Sequence, residues 1–321
     1  MSLTTPDVIA ILLLDVLFVF FGFLCFFLSV GIVKNWNLES TSTGQYRLEK
    51  QSYLVATMIK FLFALKLPLI IYFIFTLDLV ANVIPGAMCA AGVVNATPYG
   101  VYLLVLKIVN LYLFGFWLAI HVYDMKHPDY PYTRRKFALF FLVFVLFQTE
   151  IALEFLMFSA IDPHVIVSCC GTLFNAVSQS PIASFTALPD AVILGLFYGS
   201  FAVLMVCFFL RRAALFALSN LGFLLIAILS IIGFFSSYIY ELPTHNCPFC
   251  FFQSDYCYVG YFLYLTLFAG TFFGIGSFVI QYATKESPAK WFVTSVLFNT
   301  IYLIAITLYP TVFYLRNGVW L

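Results

Sequence analysis

The chain has 321 residues, of which 64% are apolar and 9% charged, and its formal net charge is +1. Soluble domains carry about 25% charged residues, so this composition excludes a water-soluble globular surface, and most of the chain must face lipid or other helices. The near-zero net charge removes any electrostatic basis for binding nucleic acid.

Apolar runs of about 20 residues predict transmembrane helices. Eight occur, over residues 8–33, 53–79, 100–123, 136–160, 190–210, 214–239, 258–282 and 291–315. They are long and continuous, unlike the ~10-residue alternating segments of a membrane barrel. The expected fold is an all-α, polytopic bundle in the lipid bilayer, organised as a single transmembrane domain over 1–321. The segment before the first run lacks Lys and Arg, and the run itself contains Asp15. That pattern predicts a retained span and not a cleavable signal peptide.

In chain order, the loop after span one, KNWNLESTSTGQYRLEK (34–50), is polar and is expected to carry a short interfacial helix. Span two contains Lys60, Lys66 and Pro68; the loop after it, 80–99, holds Cys89. Span three contains Lys107 and is followed by HPDYPYTRRK (127–136), a Pro-rich turn leading into a capped helix start at Thr133. Span four contains Glu150 and Glu154, and loop 161–189 brings His164, Cys169 and Cys170. Between spans six and seven lies ELPTHNCPFCFFQSDYC (241–257), which crowds His245, Cys247, Cys250 and Cys257 into one short connection.

Eleven of the fifteen basic residues fall in the connections after spans one, three, five and seven. Basic loops stay cytoplasmic, so both termini and six of the eight cysteines are expected outside. The other two, Cys25 and Cys207, lie in apolar runs and read as small packing residues. The expected setting is the bacterial inner (plasma) membrane. The chain has no P-loop, Gly-rich dinucleotide fingerprint or HExxH, and no histidine falls at mid-membrane to pair as a haem ligand.

The outer cysteines admit three chemistries. In an oxidising compartment six cysteines can form structural disulfides, in any of 15 connectivities. Alternatively, the two-residue spacing of Cys247-Pro248-Phe249-Cys250 lets two thiols meet in one turn and exchange with a disulfide. The CPxC sequence resembles the active-site motif of thioredoxin-like oxidoreductases over four residues, without the βαβ context of that fold. A functional resemblance to membrane thiol oxidoreductases of the DsbB and vitamin K epoxide reductase type implies electron transfer between a loop disulfide and a quinone. Cys169, Cys170, Cys89 or Cys257 would then shuttle, with an extracytoplasmic thioredoxin-like protein as partner. Third, His245-x-Cys247-x2-Cys250-x6-Cys257 offers one imidazole and three thiolates, a donor set for a soft ion such as copper or zinc. Cys89 is a further candidate ligand, Met88-Cys89 and the Cys169-Cys170 pair could pass the ion on, and a metallochaperone would be the partner.

Ionisable side chains inside a span face the bundle interior. At ~1.5 Å per residue, Lys66 and Glu150 sit at similar depth near the midplane, and Lys107 and Glu154 share a second level. Two ion pairs are therefore expected, Lys66 with Glu150 and Lys107 with Glu154. Each pair either fixes helix register or forms part of a proton or ion relay; Lys60 is expected to snorkel to the cytoplasmic interface. The favoured functional reading is thiol or soft-metal handling at the outer face, leaning to exchange through Cys247 and Cys250 with Cys169, Cys170, Glu150 and Lys66 in support. The alternative is a transport component, or an accessory subunit among other membrane subunits, braced by disulfides.

Overall fold

The computed structural model describes residues 5–37, 42–162, 166–167, 188–243 and 245–321. Among them there is no strand, and eight helices are long and apolar enough to cross a membrane. The protein is an all-α, multi-pass membrane protein. The helices are α1 (Pro6–Asn35), α2 (Thr43–Ala81), the short α3 (Ala90–Asn95), α4 (Gly100–Asp124), α5 (Thr133–Ala160), α6 (Asp190–Leu210), α7 (Ala213–Ser230), α8 (Val259–Thr284) and α9 (Ala289–Asn317). Beyond Ser230, α7 continues through a π-helical turn, Ile231–Phe235, and a last α turn, Ser236–Tyr240.

Two helix starts depart from the sequence reading. The polar loop before span two contributes its second half to α2, which begins at Thr43 because the Ser42 side chain accepts from the Gln45 amide at 3.3 Å. Thr133 does begin α5, but it does not cap it. Its hydroxyl donates instead to the buried carboxylate of Asp124 at 3.0 Å, and the same carboxylate pairs with Lys136. Lys136 therefore belongs to the folded interior and not to the charged loop surface. Asp124 at the end of α4 also accepts from the Tyr132 amide at 2.8 Å, which closes the turn between the two helices.

The chain forms two compact units. The first comprises residues 1–85, 93–165 and 283–285. Here α1 packs on α2 and α5, α4 on α5, and α2 on α4. Aromatic rings fill the centre: Phe63 stacks on Phe114 at 4.6 Å and meets the edge of Trp117 at 5.4 Å. Cys25 is buried in this core, as its apolar context predicts.

The second unit comprises residues 86–92, 166–282 and 286–321. Its helices meet through small residues and amides. Ser295 donates to the Gly270 carbonyl at 2.7 Å, and Asn299 donates to the Asn220 side-chain oxygen at 2.9 Å. Gly270 and Gly274 lie one turn apart on α8, where a Cβ would come within 2.1 Å of Asn299 and Asn220 respectively. Helices in lipid lack a hydrophobic drive to associate, so close approach and amide hydrogen bonds supply the contact. A Gly274→Ala substitution forces the Asn220 amide aside. It should cost about 1–3 kcal/mol, read as a lower thermal midpoint in detergent, while Gly222→Ala, where a Cβ meets open space, should leave the midpoint unchanged.

Candidate functional site

Three cysteines converge in the second unit. The side chain of Cys89, carried in just ahead of α3, reaches Cys247 with a sulfur–sulfur distance of 3.5 Å, although the two are 158 residues apart in sequence. Together with Cys250 their sulfurs all lie within 4.8 Å of one another. Cys89 and Cys247 are 0% exposed and Cys250 is 5% exposed.

Several local features deliver Cys247 and Cys250 to this point. The chain leaves α7 through Glu241 in a left-handed conformation (φ 53°), and Leu242 donates back to the Ser237 carbonyl at 3.1 Å. Asn246 accepts from Ser236 and Ser237, each at 3.3 Å. The Tyr240 hydroxyl donates to the Cys247 carbonyl, and Tyr264 donates to the Pro248 carbonyl at 2.9 Å. These two phenols satisfy backbone acceptors of an irregular segment that no helix or strand partner answers. A 3-10 turn, Cys250–Phe252, follows, and its Phe251 backbone lies so close to α8 that only a glycine, Gly260, fits beside it. Gln253 donates to the Met88 carbonyl at 3.3 Å, tying this loop to the one that carries Cys89.

His245 completes the surroundings. Its ring meets the edge of Tyr240 at 4.4 Å, and its Nε2 is buried with no hydrogen-bond partner. Burial pulls its pKa below the ordinary imidazole value, and the nearby Cys89 charge opposes that shift. A neutral imidazole with an unpartnered ring nitrogen is a competent metal donor.

Cys257 is not part of the group. It caps the Ser254–Tyr256 turn in a left-handed conformation (φ 53°) and is exposed, so the expected third thiolate of the 241–257 loop is replaced by Cys89. The spacing of the loop alone could not show that substitution. His164, Cys169 and Cys170 lie outside the described residues.

The intramembrane charges form a second constellation, wholly within the first unit. Lys66 lies 3.3 Å from Glu150, and Lys107 lies 2.7 Å from Glu154, so both expected pairs form. They are not separate. Lys107 also reaches Glu150 at 3.0 Å, and Lys66 also reaches Asp15 at 3.0 Å. Asn110 donates to the other oxygen of Glu150 at 2.6 Å. Lys66 sits between the rings of Phe18 and Phe147, and Lys107 lies 4.3 Å from the Phe73 ring centroid. Asp15 and Asn110 carry no signal of pairing in the sequence. Asp15 stands out as an ionisable group inside the first span and Asn110 only as a polar residue within an apolar run, and neither feature names a partner. Lys60 is exposed, as snorkelling requires.

The fold class is thus a polytopic α-helical membrane bundle with a buried three-sulfur group in one unit and a buried charge network in the other. No protein-family model, curated protein or solved structure matches the chain.

Removing one partner from a buried ion pair leaves the other charge uncompensated and costs about 3–5 kcal/mol. Lys107→Met should therefore lower the thermal midpoint far more than Lys60→Met, measured by unfolding in detergent. His245 makes a pH prediction. Its folded-state pKa is lowered, so the unfolded loop binds the extra proton, and the stability this group contributes is present above its ordinary value of about 6.5 and is lost as pH falls below it. Alkylation of Cys247 and Cys250 should accelerate as pH drops through that window relative to a denatured control, and His245→Gln should flatten the dependence.

Proposed function

We propose that this protein handles a soft metal ion or a thiol couple at Cys89, Cys247 and Cys250, with a single thiophilic ion as the favoured occupant. The observation that carries this reading is the convergence of three sulfurs within 4.8 Å of one another, all buried. Around an ion with metal–sulfur bonds near 2.3 Å, tetrahedral thiolates stand about 3.8 Å apart, a separation this group reaches with small side-chain shifts. His245, whose Nε2 is unpartnered, lies outside the 4.8 Å group of sulfurs and would move in to supply a fourth donor. Three thiolates and an imidazole suit Cu(I) or zinc over magnesium or calcium, which prefer oxygen.

Burial also argues against direct exchange with a bulky protein partner. Thiol–disulfide exchange keeps one specific support, the 3.5 Å contact between Cys89 and Cys247. In that reading the Cys89 thiolate attacks Cys247 of a Cys247–Cys250 disulfide, a Cys89–Cys247 bond forms, and Cys250 leaves as thiolate and takes up a proton. A thioredoxin-like dithiol would supply the two electrons and a quinone would accept them. The setting proposed is the outer face of a bacterial inner (plasma) membrane, with a metallochaperone as partner in the metal reading. In support, Arg211 and Arg212 precede α7 while the sulfur loop follows its far end, which matches basic loops inside and cysteines outside. The transport or accessory-subunit alternative draws its support from the charge network.

Purified, reduced protein should bind one Cu(I) or zinc per chain, measured by metal analysis after gel filtration. Cys247→Ser and Cys89→Ser should each abolish that stoichiometry, and Cys257→Ser should not. Stoichiometry retained in Cys247→Ser overturns the metal reading. A Cys89–Cys247 or Cys247–Cys250 bond found by mass spectrometry and opened by mild reductant would favour exchange; bonds resistant to reductant would favour bracing.

A further inference from the structure

We propose that the charge network of the first unit is a binding site for one exchangeable proton, carried on Asp15. This inference does not rest on the sulfur group, which belongs to the other unit.

Asp15 on α1, Glu150 and Glu154 on α5 are three carboxyl groups; Lys66 on α2 and Lys107 on α4 are two ammonium groups. All five side chains are at least nine-tenths buried, and Asn110, the other polar side chain bonded into the network, is neutral. Asp7, farther along α1, is engaged by the Tyr72 hydroxyl at 3.0 Å. With every group ionised, the cluster carries one uncompensated negative charge inside a span, a state that lipid and protein interiors penalise heavily. One added proton removes that charge.

Glu150 accepts from Lys66, Lys107 and Asn110, so both of its oxygens are held as acceptors. Glu154 is held by Lys107 at 2.7 Å, with Lys66 at 4.0 Å. Asp15 has a single cationic neighbour, Lys66, on Oδ1, and its Oδ2 is buried without a partner. Glu154 also accepts one hydrogen bond and has an unpartnered oxygen, Oε1, but two ammonium groups lie within 4.0 Å of it and only one within that distance of Asp15, so among the described groups Asp15 is the carboxylate whose charged form is least compensated.

A cavity adjoins Asp15. It is lined by Asp15, Lys66, Lys107 and Glu154 together with apolar side chains such as Ile11 and Phe73. Two ammonium groups on its wall repel a metal cation, so the neutralising species is a proton and not sodium. A route for conformational coupling is also present. Pro68, two residues after Lys66, has no amide hydrogen to give the Ala64 carbonyl, so α2 is weakened beside the site. Uptake and loss of one proton at this point would suit the class of proton-coupled membrane processes.

The test uses the full chain in phospholipid nanodiscs and infrared difference spectroscopy over a pH titration. The expected result is a protonated-carboxyl C=O band that disappears as pH rises. It should shift when the wild-type protein carries carboxyl-13C aspartate, stay in place with carboxyl-13C glutamate, and be lost in Asp15→Asn. Lys66→Gln removes the one ammonium group that bonds Asp15 among the described residues and should hold the band to higher pH, a response that a merely structural role would not give. The proposal is overturned by the absence of a pH-dependent carboxyl band, by a band that follows the glutamate label or survives in Asp15→Asn, or by a band that sodium removes at fixed pH.

Discussion

A charge inside hydrocarbon has no water to solvate it, so it persists only where the protein itself supplies the counter-charge and the hydrogen bonds. Much of the first unit follows from that constraint. Four helices each contribute a member of the Asp15, Lys66, Lys107, Glu150 and Glu154 network, with Asn110 supplying one more donor. Rotating any of these helices by one residue would turn a charged group toward lipid. The network thus sets helix register more strictly than the surrounding Phe residues can, since one ring substitutes for another in a packed aromatic core at modest cost.

Among the described residues the second unit solves the same packing problem without buried ion pairs; its Arg316–Glu241 pair, at 3.9 Å, is exposed. Its interior polar groups are amides and hydroxyls, Asn220, Ser295 and Asn299, pressed against Gly270 and Gly274. Neutral groups can be satisfied pairwise and impose no net charge. The sulfur group is built on this neutral frame. Its loop is irregular, and irregular backbone near a membrane must have its carbonyls answered by side chains. Tyr240 and Tyr264 do this for Cys247 and Pro248. The π-helical turn at Ile231–Phe235 sits just before the turn that carries Tyr240, so a change in helical pitch sets where that phenol points.

The two constellations belong to different units, and each is closed on its own. Soft sulfur chemistry needs donors that are mutually close and shielded from competing ligands. Proton binding needs charges that nearly balance and leave one acceptor open. Among the described residues the two surroundings differ: neutral and aromatic around the sulfurs, ionic and bordered by small cavities around the charge network.

By itself the sequence determined the membrane class, the eight spans and the Lys66–Glu150 and Lys107–Glu154 pairings. The reason is that apolar run length and helical rise convert residue number directly into depth. It could not show that the two pairs merge, because depth says nothing about which faces of different helices meet; Asp15 and Asn110 joined only once α1 and α4 were packed. Nor could it replace Cys257 with Cys89. Loop spacing places the 241–257 cysteines near one another along the chain, but the left-handed turn at Cys257 sends its thiol to solvent. The Gln253–Met88 bond helps draw in a cysteine from 158 residues away. Depth is a property of one helix and can be read in one dimension, whereas the partners of a buried atom are decided only when the helices close around it.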